Sequence, residues 1–100
     1  MLEDIARQLE ALGNPTRLTA YRRLVRAGPN GLPVGGLQAD LGIPASTLSH
    51  HLHRLVAVEL VSQERQGTQL ICRANFAAMN ALVAFLSSEC CADLARHTAA

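Results

Sequence analysis

Leu2, Ile5, Leu9 and Leu12 recur at three- and four-residue spacing, which predicts one amphipathic helix closed by Gly13. Asn14-Pro15 then offers a capping side chain followed by proline at a first helical position. A second helix is expected beyond it, with Leu18, Tyr21, Leu24 and Val25 as its apolar stripe. Gly28-Pro29-Asn30-Gly31 breaks that helix. Val34 to Leu41 reads as a short third helix with Leu37 and Leu41 one turn apart. After the tight turn Gly42-Ile43-Pro44, Ala45 to Ala57 carries Leu48, Leu52, Leu55 and Val56 on one side. At residue 60 the pattern turns to alternation. Leu60–Arg65 and Thr68–Arg73 flank Gln66-Gly67, which predicts a two-stranded hairpin with glycine in its turn. The helical stripe returns from Phe76 through Met79, Leu82, Val83 and Leu86 and runs to a cysteine pair.

The expected order is therefore α-α-α-α-β-β-α, mainly α with a β-hairpin. A lone hairpin is marginal and must lean on helices. Two short helices across a three-residue turn, followed at once by a hairpin, have the layout of a winged helix-turn-helix. The chain has 100 residues, the size of one domain, and residues 1–100 are read as one, with no repeat, linker or low-complexity segment. Its 49% apolar and 17% charged residues suit a folded core, and only 3% are aromatic, so the core must come from Leu, Ala and Val. No apolar run approaches the ~18 residues of a membrane span. The acidic start Glu3-Asp4 is unlike a secretory signal. A cytoplasmic protein without membrane contact is the expectation.

A net charge of +1 hides an uneven distribution, because residues 14–57 hold five arginines against Asp40 alone while both flanks are net acidic. A basic middle suits a polyanion, or equally a solvated helix face. The helix 45–57 sharpens the choice. Without its apolar stripe it presents Ser46, Thr47, Ser49, His50, His53 and Arg54, a polar face with no acid. Hydroxyls, imidazoles and guanidinium donate to phosphates and base edges, whereas a carboxylate would repel them. At the hairpin tip, Arg65, Gln66 and Thr68 are candidates for the DNA backbone or minor groove. His50 and His53, one turn apart, also invite a metal reading, but no third ligand lies nearby, and His51 reads as partly buried and hydrogen-bonded. The stripes of the outer helices exceed what one small core can bury, which predicts a homodimer.

Ala11-Leu12-Gly13-Asn14-Pro15-Thr16-Arg17-Leu18, Ser46-Thr47-Leu48-Ser49-His50-His51-Leu52, and Leu60-Val61 ahead of a glycine-containing hairpin resemble the ArsR/SmtB family of winged-helix repressors. The resemblance runs from residue 5 to about 91. It implies a homodimer built by the first and last helices, a palindromic double-stranded DNA operator, and release when an inducer binds. Family members that sense metal ahead of the recognition helix carry Cys-x-Cys there. Here that segment reads Gly36-Leu37-Gln38-Ala39-Asp40, and Asn80 to Glu89 lacks the Asp and His pairs of members that bind zinc on the last helix. Cys90-Cys91 resembles the adjacent cysteines of arsenic-responsive members, with His97 where a third cysteine can follow.

With three cysteines, Cys72, Cys90 and Cys91, a disulfide framework is not expected. No obligatory cofactor is implied. Trivalent arsenic, as arsenite or an organoarsenical, is the candidate inducer at Cys90 and Cys91, with His97 as a further donor. Redox sensing by the same thiols and a repressor without inducer remain open, and Cys72 reads as packing. An enzyme is not expected, since no phosphate-binding glycine motif, metalloprotease spacing or nucleophile elbow occurs. The rival from another class is a dimeric thiophile-binding or protein-interaction module that does not touch DNA.

Overall fold

A computed structural model describes residues 1–94. The elements are α1 (Leu2–Leu12), α2 (Pro15–Ala27), β1 (Leu32–Pro33), α3 (Val34–Leu41), α4 (Ala45–Ala57), β2 (Val61–Gln66), β3 (Gln69–Ala74) and α5 (Phe76–Ser87). Asn14 caps α2 as its sequence suggests: its side chain accepts from the Arg17 amide at 3.0 Å, and Pro15 opens the helix. Gly42, left-handed at φ 64°, closes α3 and lets the chain reverse into α4.

The hairpin is the larger part of a three-stranded antiparallel sheet of order β1-β3-β2, in which Leu32 pairs with Cys72 and Val61 with Ala74. The strand β1 is an addition to the expected order. Two residues give no alternation to detect, and Pro33 argues against a strand except at an edge, which is where β1 lies. Gly31 permits the approach, since any side chain there would collide with the Cys72 carbonyl. The turn also falls one residue later than expected, at Gly67-Thr68, with Gly67 supplying a positive φ.

Leu24, Leu37, Leu48, Leu52, Leu55, Leu60 and Cys72 are the large side chains most completely buried. Cys72 is a packing residue, as expected, its thiol accepting from the Gln63 amide at 3.4 Å and raised in pKa by burial. The predicted α2 stripe is corrected, while those of α1 and α5 are only partly buried, as the excess of outer-helix stripe over core implies. On α2 the buried positions are Arg17, Ala20, Tyr21 and Leu24, so the stripe is shifted and Leu18 lies outside it, 42% exposed. On α1, Ile5, Gln8 and Ala11 turn inward while Leu2 and Leu9 remain exposed. On α5 only Leu82 is buried, and Val83 and Leu86 face outward. The stretch Phe76–Leu94, 19 residues of mean hydropathy 1.2, is by length and composition long and apolar enough to cross a membrane. The sequence reading missed it because Asn80, Ser87, Ser88 and Glu89 interrupt the run while the average stays high.

The passage from α4 to the sheet is a Schellman turn. The Leu60 amide donates to the Leu55 carbonyl and the Glu59 amide to that of Val56, both at 3.0 Å, with Leu55 and Leu60 buried against the core. Its left-handed position belongs to Glu59, at φ 64°, rather than to glycine. Replacing Glu59 with Gly should therefore stabilise the fold by about 1 kcal/mol, read as a higher denaturant midpoint at unchanged slope.

Candidate nucleic-acid interface

Leu48, Leu52 and Leu55, at most 1% exposed, anchor α4 to the core. That anchoring decides what remains outside: Ser46, Thr47, Ser49, His50 and His53 are all exposed, and the helix contains no acid. Pro44 precedes the helix and no side chain caps it, so the first backbone amides of α4 stay available beside Ser46 and Thr47. Arg54 differs from the other candidates. At the far end of α4 its guanidinium lies 3.5 Å from the Glu10 carboxylate of α1, so part of its charge is spent within the molecule.

A residue that stands in the sequence as one of five basic positions and within the motif of residues 11–18, with no buried role assigned, holds this platform. Arg17 is 9% exposed. Its Nε donates to the Ala11 carbonyl at 2.7 Å and its Nη1 lies 3.3 Å from Nδ1 of His51. A guanidinium has only donors, so Nδ1 accepts and the ring proton sits on Nε2. Desolvation, then the positive charges of Arg17, His50 and Arg54, lower the His51 pKa. The expectation that His51 is partly buried and hydrogen-bonded holds. The available signal for Arg17 was its spacing of four and seven residues from Tyr21 and Leu24, which an apolar template discards.

At the hairpin tip Arg65, Gln66 and Thr68 are exposed. Glu64, the acid of β2, accepts from Gln66 Nε2 at 2.9 Å and Arg73 Nη1 at 3.0 Å, which lower its pKa together with the charge of Arg73. Arg65 makes no ion pair among the described residues. Arg65 and Thr68 also share a cleft of about 520 Å³ with Pro33, Gly35 and Gly36, so the start of α3 adjoins the wing, a neighbour the sequence reading did not foresee.

Cys90 and Cys91 lie past the end of α5, exposed and free of any disulfide, with their thiols in hydrogen-bond contact at 3.5 Å and Cys91 at φ 60°. Among the described residues no three metal-ligating side chains come together. His97 lies outside the described residues.

A helix-turn-helix domain family matches residues 12–64. The HTH-type transcriptional regulator YgaV of Escherichia coli is 30% identical over 89 residues, covering 89% of this chain and 88% of that protein. The putative arsenical resistance operon repressor ArsR2 of Halobacterium salinarum is 37% identical over 60 residues, 60% of this chain; the match spans half of that relative's length. Among solved structures, an ArsR-like transcriptional regulator from Rhodococcus covers 98% of this chain and is itself 89% covered, at TM-score 0.78 and 24% identity. The homodimeric winged helix-turn-helix domain of Mb0332 from Mycobacterium bovis covers 89% of this chain and is 82% covered, at TM-score 0.69 and 28% identity.

The His51 contact sets a pH dependence. Because the folded pKa lies below the unfolded value near 6.5, its contribution is complete above that value and is lost as pH falls through the folded one. Denaturant midpoints should fall from about pH 7.5 to about pH 5. They should fall less in His51→Asn, whose amide oxygen accepts from Arg17 without titrating.

Proposed function

This chain belongs to the ArsR family of winged helix-turn-helix transcriptional repressors, and we propose from that premise that it is a homodimer that holds a palindromic operator and releases it to an inducer. The observation that carries the reading is α4 itself, clamped by its leucines and presenting an exposed polar face free of acids. In the proposal that face enters the major groove, with Ser46 and Thr47 leading and His50 and His53 behind them. Arg65, Gln66 and Thr68 of the wing take the flanking backbone or minor groove. Such a regulator works in the cytoplasm and is not an enzyme.

The homodimer draws its support from Leu2, Leu9, Val83 and Leu86, exposed on the outer helices, and from the M. bovis neighbour, which is homodimeric. An apolar strip left in water by one chain is covered by the same strip of a second about a two-fold axis. The axis then sets two half-sites about one helical turn, roughly 34 Å, apart.

For the inducer, the Cys90 and Cys91 sulfurs at 3.5 Å are spaced to meet one soft ion through bonds of about 2.3 Å, the usual thiolate–metal length. A dihydroxy organoarsenical would exchange both hydroxides for sulfur, each S–As bond forming as one thiol proton leaves with one hydroxide as water. Arsenite would retain one hydroxide, or take His97 as a third donor. The same proximity suits oxidation of the pair, the second reading, and a peroxide arm separates the two.

The deciding experiment titrates the protein against DNA upstream of its own gene, across a salt series, with and without arsenite, an organoarsenical, zinc and peroxide. A module that does not use DNA would show no salt-dependent binding. Arg65→Ala should weaken binding to all sequences and lower the salt slope by ~1, while His50→Ala should relax base preference at one position by ~1–3 kcal/mol. Arg54→Ala should have the weaker effect of the two arginine variants, because Glu10 already holds that side chain.

A double Cys90→Ser, Cys91→Ser variant should keep its operator affinity and lose the inducer response, a loss of roughly 5–150-fold in induced release. Cys72→Ser should leave the response in place. An arsenical response that survives the double substitution rejects the thiol site.

A further inference from the structure

The shifted stripe of α2 leaves Leu18 exposed in an apolar surface that borders the core and lies apart from the α4 face. Leu18, Val25, Leu41, Met79, Leu82 and Val83 wall a groove of about 780 Å³ between α2, α3 and α5. Three polar features interrupt that apolar lining. Arg22 and Arg26, one turn apart on α2, border the groove and form no ion pair among the described residues. The acid in the same wall, Asp40, is taken by Arg23 at 2.9 Å, and α2 contains no acid of its own. The third feature is Tyr21, 5% exposed, whose hydroxyl is buried without a hydrogen-bond partner.

The arginine pair, the tyrosine hydroxyl and the apolar wall each carry a cost that a bound molecule would offset. Two guanidinium groups at i and i+4 repel one another. A buried hydroxyl without a partner gives up a hydrogen bond it would make in water. An apolar wall open to solvent forgoes burial. A groove of this size, mostly apolar with a few convergent polar groups, is the usual form of a small-molecule site.

We propose that the groove between α2 and α5 binds an amphipathic carboxylate, with Arg22 and Arg26 as its counter-charge, the apolar walls holding its acyl or aryl body, and the Tyr21 hydroxyl gaining a partner. The site is separate from Cys90 and Cys91 and does not depend on the operator reading. It joins α5 to the helix that carries Arg17, so its occupant bears on one helix of the proposed dimer, with Val83 common to both surfaces.

The sequence supplies the reporter, since Tyr21 is the one tyrosine and there is no tryptophan. Decanoate, kept below its micelle-forming concentration, is titrated into the full chain while Tyr21 emission is followed, with 1-decanol as the uncharged control. A saturable change is expected, with decanol weaker by about tenfold or more, the scale of a charge-assisted hydrogen bond. Arg22→Gln with Arg26→Gln should weaken decanoate by a similar factor and leave decanol unchanged, with circular dichroism and sedimentation matching the parent. No saturable change, equal affinity for acid and alcohol, or indifference to the double substitution would overturn the proposal. So would binding that appears only as dimer converts to monomer, because the groove would then be the seat of a second copy. None of these outcomes involves DNA, so the operator reading stands or falls separately.

Discussion

The orientation of the recognition helix rests on one buried cation without a carboxylate partner. The Arg17 guanidinium lies where α1 ends, α2 begins and α4 passes, and it contacts a carbonyl of the first and an imidazole of the last. The Ala11 carbonyl is among the four that α1 leaves unpaired at its C-terminus, where the helix dipole is negative. A bond of 2.7 Å there satisfies the carbonyl and compensates part of the desolvation of the cation. Removing the side chain would orphan the carbonyl and the ring together. The arginine thus braces three helices, and its hold on His51 adds a polar constraint to the leucine packing of α4.

The rest of the molecule extends from that brace. Gln8 reaches from α1 to the Val58 carbonyl at 3.1 Å, tying the same first helix to the far end of α4. The Glu59 turn then sends the chain into a sheet whose third strand covers one edge of the hairpin. Acids near the polar faces are paired off, Glu10 with Arg54 and Glu64 with Arg73 and Gln66. Those pairs are exposed and contribute little stability. Their effect is on the field, since a carboxylate held by a cation repels a polyanion less than a free one does.

The helices and the face of α4 were legible because each follows from local rules: a Leu stripe at helical spacing, Asn14-Pro15 as a start, Gly42 as a stop. The acid-free set Ser46, Thr47, Ser49, His50 and His53 could be picked out from spacing alone, and all five are exposed. The buried side of α2 could not. Arg17 turns inward only because the Ala11 carbonyl and His51, 34 residues further on, await it. Once it does, Leu18 is turned out. The partner of Arg54 was hidden for the same reason, since Glu10 is 44 residues away in sequence.

What the amino-acid sequence determined by itself is therefore the succession of the five helices and the hairpin, the acid-free polar face of α4 and the adjacency of Cys90 and Cys91, all short-range properties of composition and period. Only the tertiary structure decided the phase of the α2 stripe, the existence of β1 and its pairing with β3, the partners of Arg17 and Arg54, and the groove between α2 and α5. Each of these is a choice between near-equal local options. The contacts that settle it come from distant parts of the chain, and no window along the sequence contains both sides of such a contact.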